Sequence, residues 1–460
     1  MQQAETISAI ATASGESGIG IIRLSGESAI AVADQVFQAQ NGKKIADTAS
    51  HRAVYGCIVQ ADGRVIDEAI CLLMRAPHSY TMEDVVELQC HGGPMPLRET
   101  LARTYACGAR PAECGEFTKR AFLNGRLDLT QAQAVMDVIQ AHTGASLEMA
   151  SGHLAGQLSS RIRLARHGVL EMIAHLEAAI DFPEDDVDEV VLEDVFRRVK
   201  EIRVQLAALL RSAHTGRILR DGLETAIVGK PNVGKSSLLN ALLQEQRAIV
   251  TDIPGTTRDS IEEYANIGGV PLRIIDTAGI HATEDAVERI GVEKARGYVN
   301  RAALVLALFD GSKPLTAEDD EILQMVENRE AMILVNKTDL DMVVDLQALR
   351  QRFPHKKVLE ISTVSAQGLE NLEDAIVAMV YGGAVRSEEG SFVSNARQAD
   401  ILQKADGHLE AALRTIDEGM SADFVVIDLR SAWEKLGEIT GETVGEDIID
   451  QIFSQFCIGK

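Results

Sequence analysis

Three clusters in the middle of the chain carry the groups needed to hold a nucleoside triphosphate and a magnesium ion. Gly229-Lys230-Pro231-Asn232-Val233-Gly234-Lys235-Ser236 fits the phosphate-loop pattern G-x-x-x-x-G-K-[ST] without a mismatch. Its glycines let backbone N–H groups close in on phosphate oxygens. Lys235 can neutralise the β- and γ-phosphates, and Ser236, followed by Ser237, can ligate Mg²⁺. Asp276-Thr277-Ala278-Gly279 offers a carboxylate that can hold Mg²⁺ through water and a Gly279 N–H that can sense the γ-phosphate. Between them lies Thr251-Asp252-Ile253-Pro254-Gly255-Thr256-Thr257-Arg258-Asp259. One threonine hydroxyl of this stretch is expected to complete the Mg²⁺ shell when the triphosphate is bound.

The base is expected to be guanine. Asn336-Lys337-Thr338-Asp339 supplies a carboxylate that can accept from both N1–H and the 2-amino group, a donor pair that adenine lacks. Asn336 can bridge the base and the neighbouring loop, and the Lys337 stem can cover the flat face. Ser365-Ala366 can offer a backbone N–H to guanine O6.

One expected part is missing. In Ras-like GTPases a glutamine after Asp-x-x-Gly orients the attacking water. Here Ile280 stands in that place and cannot do so. His281 is adjacent, and Glu288 lies in the following acidic stretch. No arginine finger is evident. Asn232 has a side-chain carbonyl which, with backbone oxygens from Thr251 to Thr256, can hold a monovalent cation against the phosphates.

These residues need an α/β frame. Leu223 to Val228 reads as a strand and Ser237 to Leu243 as a helix, so the phosphates fall at a helix N-terminus. Further strands are expected at Leu272 to Ile275, Ala303 to Phe309, Met332 to Val335 and Val358 to Ile361. Alternating strands and helices predict an open, mainly parallel, doubly wound sheet over residues 222–383. Residues 1–124 read as a separate α/β domain, with strands at Ile19 to Leu24 and Val85 to Cys90. From Asp128 the pattern turns helical, with Leu129, Ala132, Val135, Met136 and Ile139 on one face. Helices continue to about Arg220, interrupted near Asp181-Phe182-Pro183. After Gly382-Gly383 and the polar run Ser387 to Ser391, helical periodicity resumes from Asn395 to Lys460. The simplest architecture inserts the nucleotide domain into one helical domain made of residues 125–221 and 384–460.

The composition narrows the partners. A net charge of −24 argues against indiscriminate binding to nucleic acid or anionic membranes, while leaving room for a local basic patch. Six cysteines without a C-x-x-C pair indicate neither a disulfide framework nor a structural zinc, and a reducing cytoplasm is expected. The beginning of the chain lacks the features of a signal peptide, and the apolar run Ala302 to Phe309 is too short to span a bilayer.

Taken with the helix start Asp128-Leu129-Thr130-Gln131-Ala132 and the segment Cys457-Ile458-Gly459-Lys460, these motifs resemble the MnmE (TrmE) family of tRNA-modification GTPases over the whole chain. The resemblance implies a folate-binding N-terminal domain, a discontinuous helical domain and an inserted G domain. It implies a homodimer joined by the N-terminal domains. It also implies a heterotetramer with a flavin-dependent, MnmG-like partner that installs an aminomethyl-type group on C5 of wobble uridine in certain tRNAs. By the same resemblance Glu288 is the water-orienting residue, Lys235 a second catalytic group, and Ser236 and Thr257 the Mg²⁺ ligands. K⁺ is held by Asn232, Thr251, Ile253 and Thr256. A reduced folate, of the 5-formyl or methylene type, is held by Arg23, Glu87, Arg126 and Lys460. The family often has lysine where this chain has Arg126, so charge is kept while geometry differs. Cys457 also matches a family position, either as a nucleophile or acid near the folate or as a free thiol. Two other readings predict different behaviour. A GTP-dependent ribosome-assembly switch would need a basic RNA-binding appendage, and a folate enzyme with a regulatory G domain would transfer one carbon without GTP turnover.

Overall fold

The computed structural model describes residues 5–13, 15–181, 188–244, 263–275, 291–382 and 392–460. Residues 251–262 and 276–290 fall outside that set, and with them Thr251 to Thr257, Asp276 to Gly279, Ile280, His281 and Glu288.

The N-terminal part is built on seven strands: β1 (Ile7–Ile10), β2 (Ser17–Ser25), β3 (Phe37–Ala39), β4 (Arg52–Val59), β5 (Val65–Met74), β6 (Val85–Gly92) and β7 (Arg110–Pro111). Their order is β3-β4-β5-β6-β2-β1-β7, and every neighbouring pair is antiparallel except β1 with β7. Alternation decides which face is buried. Ala69, Cys71 and Leu73 of β5 point inward with Ile22, Leu24 and Leu88, towards the helices Ala29–Val36 and Pro94–Ala106. Tyr55, Ile70 and Ile19 stay exposed.

The helical domain joins two distant stretches of chain, as the sequence predicts. Helices Gln157–Asp181 and Asp188–Asp221 share one core with helices Ala396–Asp417 and Ala422–Thr440, through residues such as Ile162, Val169, Leu206, Leu402, Leu409 and Leu429. Arg203 reinforces the join with a bidentate pair to Asp406 at 2.8 and 3.0 Å. The helix Leu129–Ile139 opens with a capping box between Asp128 and Gln131. Its buried stripe departs from the expected one. Leu129, Ala132 and Met136 are buried, but Ile139 is 42% exposed at the helix end. Asp137 is buried instead, paired with Arg220 at 2.8 Å.

The G domain holds β8 (Leu223–Val228), β9 (Glu263–Ile267), β10 (Val270–Ile274), β11 (Leu304–Asp310), β12 (Ala331–Asn336) and β13 (Lys357–Glu360). The order is β13-β12-β11-β8-β10-β9, parallel throughout except for β9. The period of two divides β11 between two cores. Leu304, Leu306 and Leu308 face one, and Val305, Ala307 and Phe309 the other. Three contacts seat this domain on the helical one. Thr215 Oγ1 donates to Val380 O at 2.9 Å, Thr143 Oγ1 donates to Gly269 O at 2.8 Å, and His142 stacks on Tyr264 with centroids 3.7 Å apart.

Residues 457–460 return to the N-terminal domain. Cys114 and Ile458 form an antiparallel bridge, and the Gly115 and Phe117 N–H groups donate to Cys457 O and Lys460 O. The receiving helix, Glu116–Leu123, is anchored by Glu116, which is only 7% exposed. Its carboxylate accepts from Arg110 at 2.6 and 2.8 Å, Arg120 at 2.9 Å and the Glu113 N–H at 2.9 Å. Burial alone would raise this carboxyl, but Arg110, the Glu113 N–H and Arg120 outweigh it and hold it at about 2. A depressed carboxylate contributes stability that is complete above its unfolded value of 4.5 and is lost as pH falls towards about 2. Glu116→Gln is therefore expected to melt below wild type at neutral pH, with a gap that narrows as pH drops below about 4.5. Melting curves followed by circular dichroism decide this, and a gap that does not change with pH contradicts it.

Candidate functional site

Strand β8 ends at Val228 and the helix Lys235–Gln244 begins at Lys235, so residues 229–234 form the turn between them. Asn232 takes φ +62° and Gly234 φ +105°. A Cβ on Gly234 would meet Asn336 Nδ2 at 2.3 Å, which explains why this position needs glycine. Asn336, 1% exposed, bridges the phosphate loop and the Thr363 loop. Its Nδ2 donates to Val233 O at 2.7 Å, and its Oδ1 accepts from Thr363 N at 3.1 Å. The guanine motif is thereby fastened to the phosphate loop and to the Ser365-Ala366 loop together.

Lys337 (φ +67°) and Ala366 (φ +59°) are also left-handed. Among the described residues only five non-glycine positions have positive φ, and three of them lie on these loops. Such backbone is costly and persists where the surroundings over-determine it. The Lys337 ammonium pairs with Asp310 at 2.7 Å, which fixes its stem. Burial would raise the Asp310 carboxyl, but Lys337 and Ser312 outweigh it and hold it below its usual range. Asp339 Oδ1 accepts from Ser362 Oγ at 2.6 Å, and Ser362 Oγ in turn accepts from Ser365 N at 3.2 Å. Lys235 donates to Gly229 O at 2.8 Å and Lys230 O at 2.7 Å, and burial pushes its ammonium down. Asn232, Ser236 and Ser237 lie on the exposed side of the turn. The expected ligands Thr251, Ile253, Thr256 and Thr257, and Glu288, lie outside the described residues.

A second cluster forms on the N-terminal sheet. Arg23 on β2 stands directly opposite Glu87 on β6, and its Nε donates to Glu87 Oε1 at 2.9 Å. Arg23 Nη1 donates to Gly459 O at 3.4 Å. Gly459 has φ +90°, and a Cβ there would lie 2.2 Å from Ile10 O, so only glycine lets the tail come this close. Burial pushes the Lys460 ammonium down and Arg23 adds to this, while Cys457 and Glu87 oppose it. Arg126 joins through Tyr80. Its guanidinium lies 4.8 Å from the ring centroid and donates to Tyr80 O at 3.1 Å. Arg23 lies 5.4 Å from the same ring and 5.7 Å from Phe117. An open cleft of about 540 Å³ adjoins Arg126. All four residues expected to hold a folate thus gather around Tyr80 and the tail. Tyr80 and Phe117 escape sequence reasoning, because an aromatic beside a cation has no characteristic spacing. Cys457 is exposed on this tail.

Family models cover the N-terminal and the helical parts of the chain. The family model for the GTP-binding protein TrmE N-terminus matches residues 6–126, and that for the MnmE helical domain matches residues 129–457. This chain belongs to the MnmE family. The tRNA modification GTPase MnmE of Alkaliphilus metalliredigens is 50% identical over 457 residues, covering 99% of each chain. That of Heliobacterium modesticaldum is 52% identical over 463 residues, again 99% of each. Among solved structures, the FeoB G-domain from Methanococcus jannaschii aligns at 25% identity over 34% of this chain and 97% of that one, with a TM-score of 0.26. As an MnmE-family protein the chain is a GTPase of tRNA modification. Among the described residues of this MnmE-family chain, no helix is long and apolar enough to cross a membrane.

Proposed function

We propose that the chain is a K⁺-stimulated GTP hydrolase whose cycle drives modification of wobble uridine at C5, together with an MnmG-like flavoprotein in a heterotetramer. Asn232 fits a cation site because its amide stands on the exposed side of a left-handed turn, next to the phosphate cradle. Ser236 lies in the first turn of the helix that follows and suits Mg²⁺, with Thr257 as its companion. Glu288 takes the water-orienting role that Ile280 cannot fill. A homodimer has a natural seam in the outer face of the N-terminal sheet, where Ile19, Tyr55 and Ile70 are exposed.

The observation that carries the modification role is the cluster of Arg23, Glu87, Arg126 and Lys460. Its groups fit a reduced folate: a carboxylate suits the amino and N–H donors of a pterin, and cations suit the carboxylates of a glutamate tail. When bound, the folate supplies a one-carbon unit. A ribosome-assembly switch has no use for such a cluster. The test uses cells lacking this protein, complemented with wild type or with Glu87→Gln, followed by nucleoside analysis of their tRNA. Wild type is expected to restore the C5 modification. The variant is expected to fail while its purified form hydrolyses GTP normally. Full modification by Glu87→Gln, or no restoration by wild type, refutes the reading.

A further inference from the structure

We infer that Lys230 and Asp319 form a positioning pair that holds the phosphate loop in its nucleotide-binding shape. Neither residue belongs to the guanine or magnesium contacts, and Asp319 sits far along the chain, at the start of the helix Ala317–Val326.

Asp319 completes a capping box there. Its Oδ2 accepts from Thr316 N at 2.8 Å and from Thr316 Oγ1 at 3.0 Å. A capping box needs only an acceptor, which a neutral glutamine supplies equally well. Here the acceptor is a carboxylate that is 2% exposed, and its Oδ1 has no partner among the described residues. Burying such a charge is unfavourable unless an opposite charge meets it. Lys230 meets it. Its Nζ lies 2.5 Å from Asp319 Oδ2 and donates to Thr316 Oγ1 at 2.8 Å. Among the described residues, the charge of this cap is met only by the phosphate loop, through Lys230.

The other end of Lys230 explains the purpose. Its backbone carbonyl accepts from Lys235 Nζ at 2.7 Å, so the loop's essential cation is aimed from the main chain of Lys230. The turn that follows, between β8 and the helix, is left-handed at Asn232 and Gly234. Asn336 pins it at Val233, after Asn232. Asp319 pins it through Lys230, before Asn232. The left-handed turn is thus held from both sides, and removing the first anchor frees the segment that aims Lys235.

The inference rests on residues 229–236 being a phosphate loop, and the experiment separates the two. Binding of N-methylanthraniloyl-GDP is measured on the full chain for wild type, Lys230→Met, Lys230→Arg, Asp319→Asn and the Lys230→Met/Asp319→Asn double variant. Circular dichroism checks each fold. Each of Lys230→Met and Asp319→Asn is expected to weaken binding about tenfold, the worth of one charge-assisted hydrogen bond. The double variant is expected to bind no more weakly than the weaker single one, because both remove the same contact. Lys230→Arg keeps a cation and is expected to stay close to wild type. Wild-type affinity in Asp319→Asn, or losses that multiply in the double variant, overturns the pair. If Asp319→Asn does not fold, Lys230→Met binding as tightly as Lys230→Arg overturns it. No binding by wild type overturns the phosphate-loop reading itself.

Discussion

Asp339→Asn is expected to weaken GTP binding by about 10²–10⁴-fold and to create affinity for xanthosine nucleotides. The wild-type carboxylate is acceptor-only and meets two guanine donors, N1–H and the 2-amino group. An asparagine keeps one acceptor and turns the other position into a donor, which faces the 2-amino group of guanine and leaves two donors opposed. Xanthine has a carbonyl oxygen at C2, which accepts from that donor while N1–H still finds the amide oxygen. The exchange is readable because the surroundings hold the side chain in place. Ser362 Oγ donates to Asp339 Oδ1, and the same oxygen accepts from Ser365 N, so the carboxylate and the loop next to the base share one anchor. Displacement of fluorescent GDP by unlabelled GDP and XDP measures both affinities. Unchanged preference for GDP in the variant removes Asp339 from base recognition.

The second large effect concerns the hydrolytic step. Glu288→Ala is expected to lower GTP turnover by about 10²–10³-fold while nucleotide still binds, and replacing K⁺ by Na⁺ to depress turnover by a comparable factor. Ile280 puts an aliphatic side chain in the place where Ras-like enzymes orient water. Water must then be oriented by another acceptor, and Glu288 is an acidic candidate in the stretch that follows. Positive charge beside the phosphates comes from Lys235, and Asn232 offers its amide carbonyl for a cation of matching size. The two measurements are independent. Glu288→Ala with normal turnover removes the residue from the mechanism. Equal rates in K⁺ and Na⁺ remove the cation.

The link between the phosphate loop and the Asn336-Lys337-Thr338-Asp339 loop was legible because hydrogen-bond geometry demands particular residue types at short, fixed spacing. Asn336 meets Val233 O, while Lys337 and Asp339 are fixed by Asp310 and Ser362. The parallel sheet was legible for a related reason, since a strand buried on both faces reads as an unbroken apolar run, as Leu304 to Phe309 does. Strand β9 was not seen, because Glu263-Tyr264-Ala265-Asn266-Ile267 is short and half polar. Ile139 was misplaced because helical period alone does not tell where the neighbouring helix stops covering the face. Asp137 took the buried position through an ion pair to Arg220, a partner 83 residues away. Tyr80, Phe117 and the Lys230–Asp319 pair lay beyond reach for the same reason. Their meaning arises only when distant segments are brought together, and no local pattern records it.

The contact between Arg23 and Gly459 spans 436 residues. On the ribosome the N-terminal sheet can assemble early, since domains fold as units in the order of synthesis. Its cluster must nevertheless wait until the whole G domain and both helical segments have been made. Loop closure over such a span becomes affordable only once those intervening parts are compact. Maturation of the tail-dependent cluster therefore reports on the folding of the entire chain, and a G domain that folds late or wrongly delays a site built from other parts of the chain.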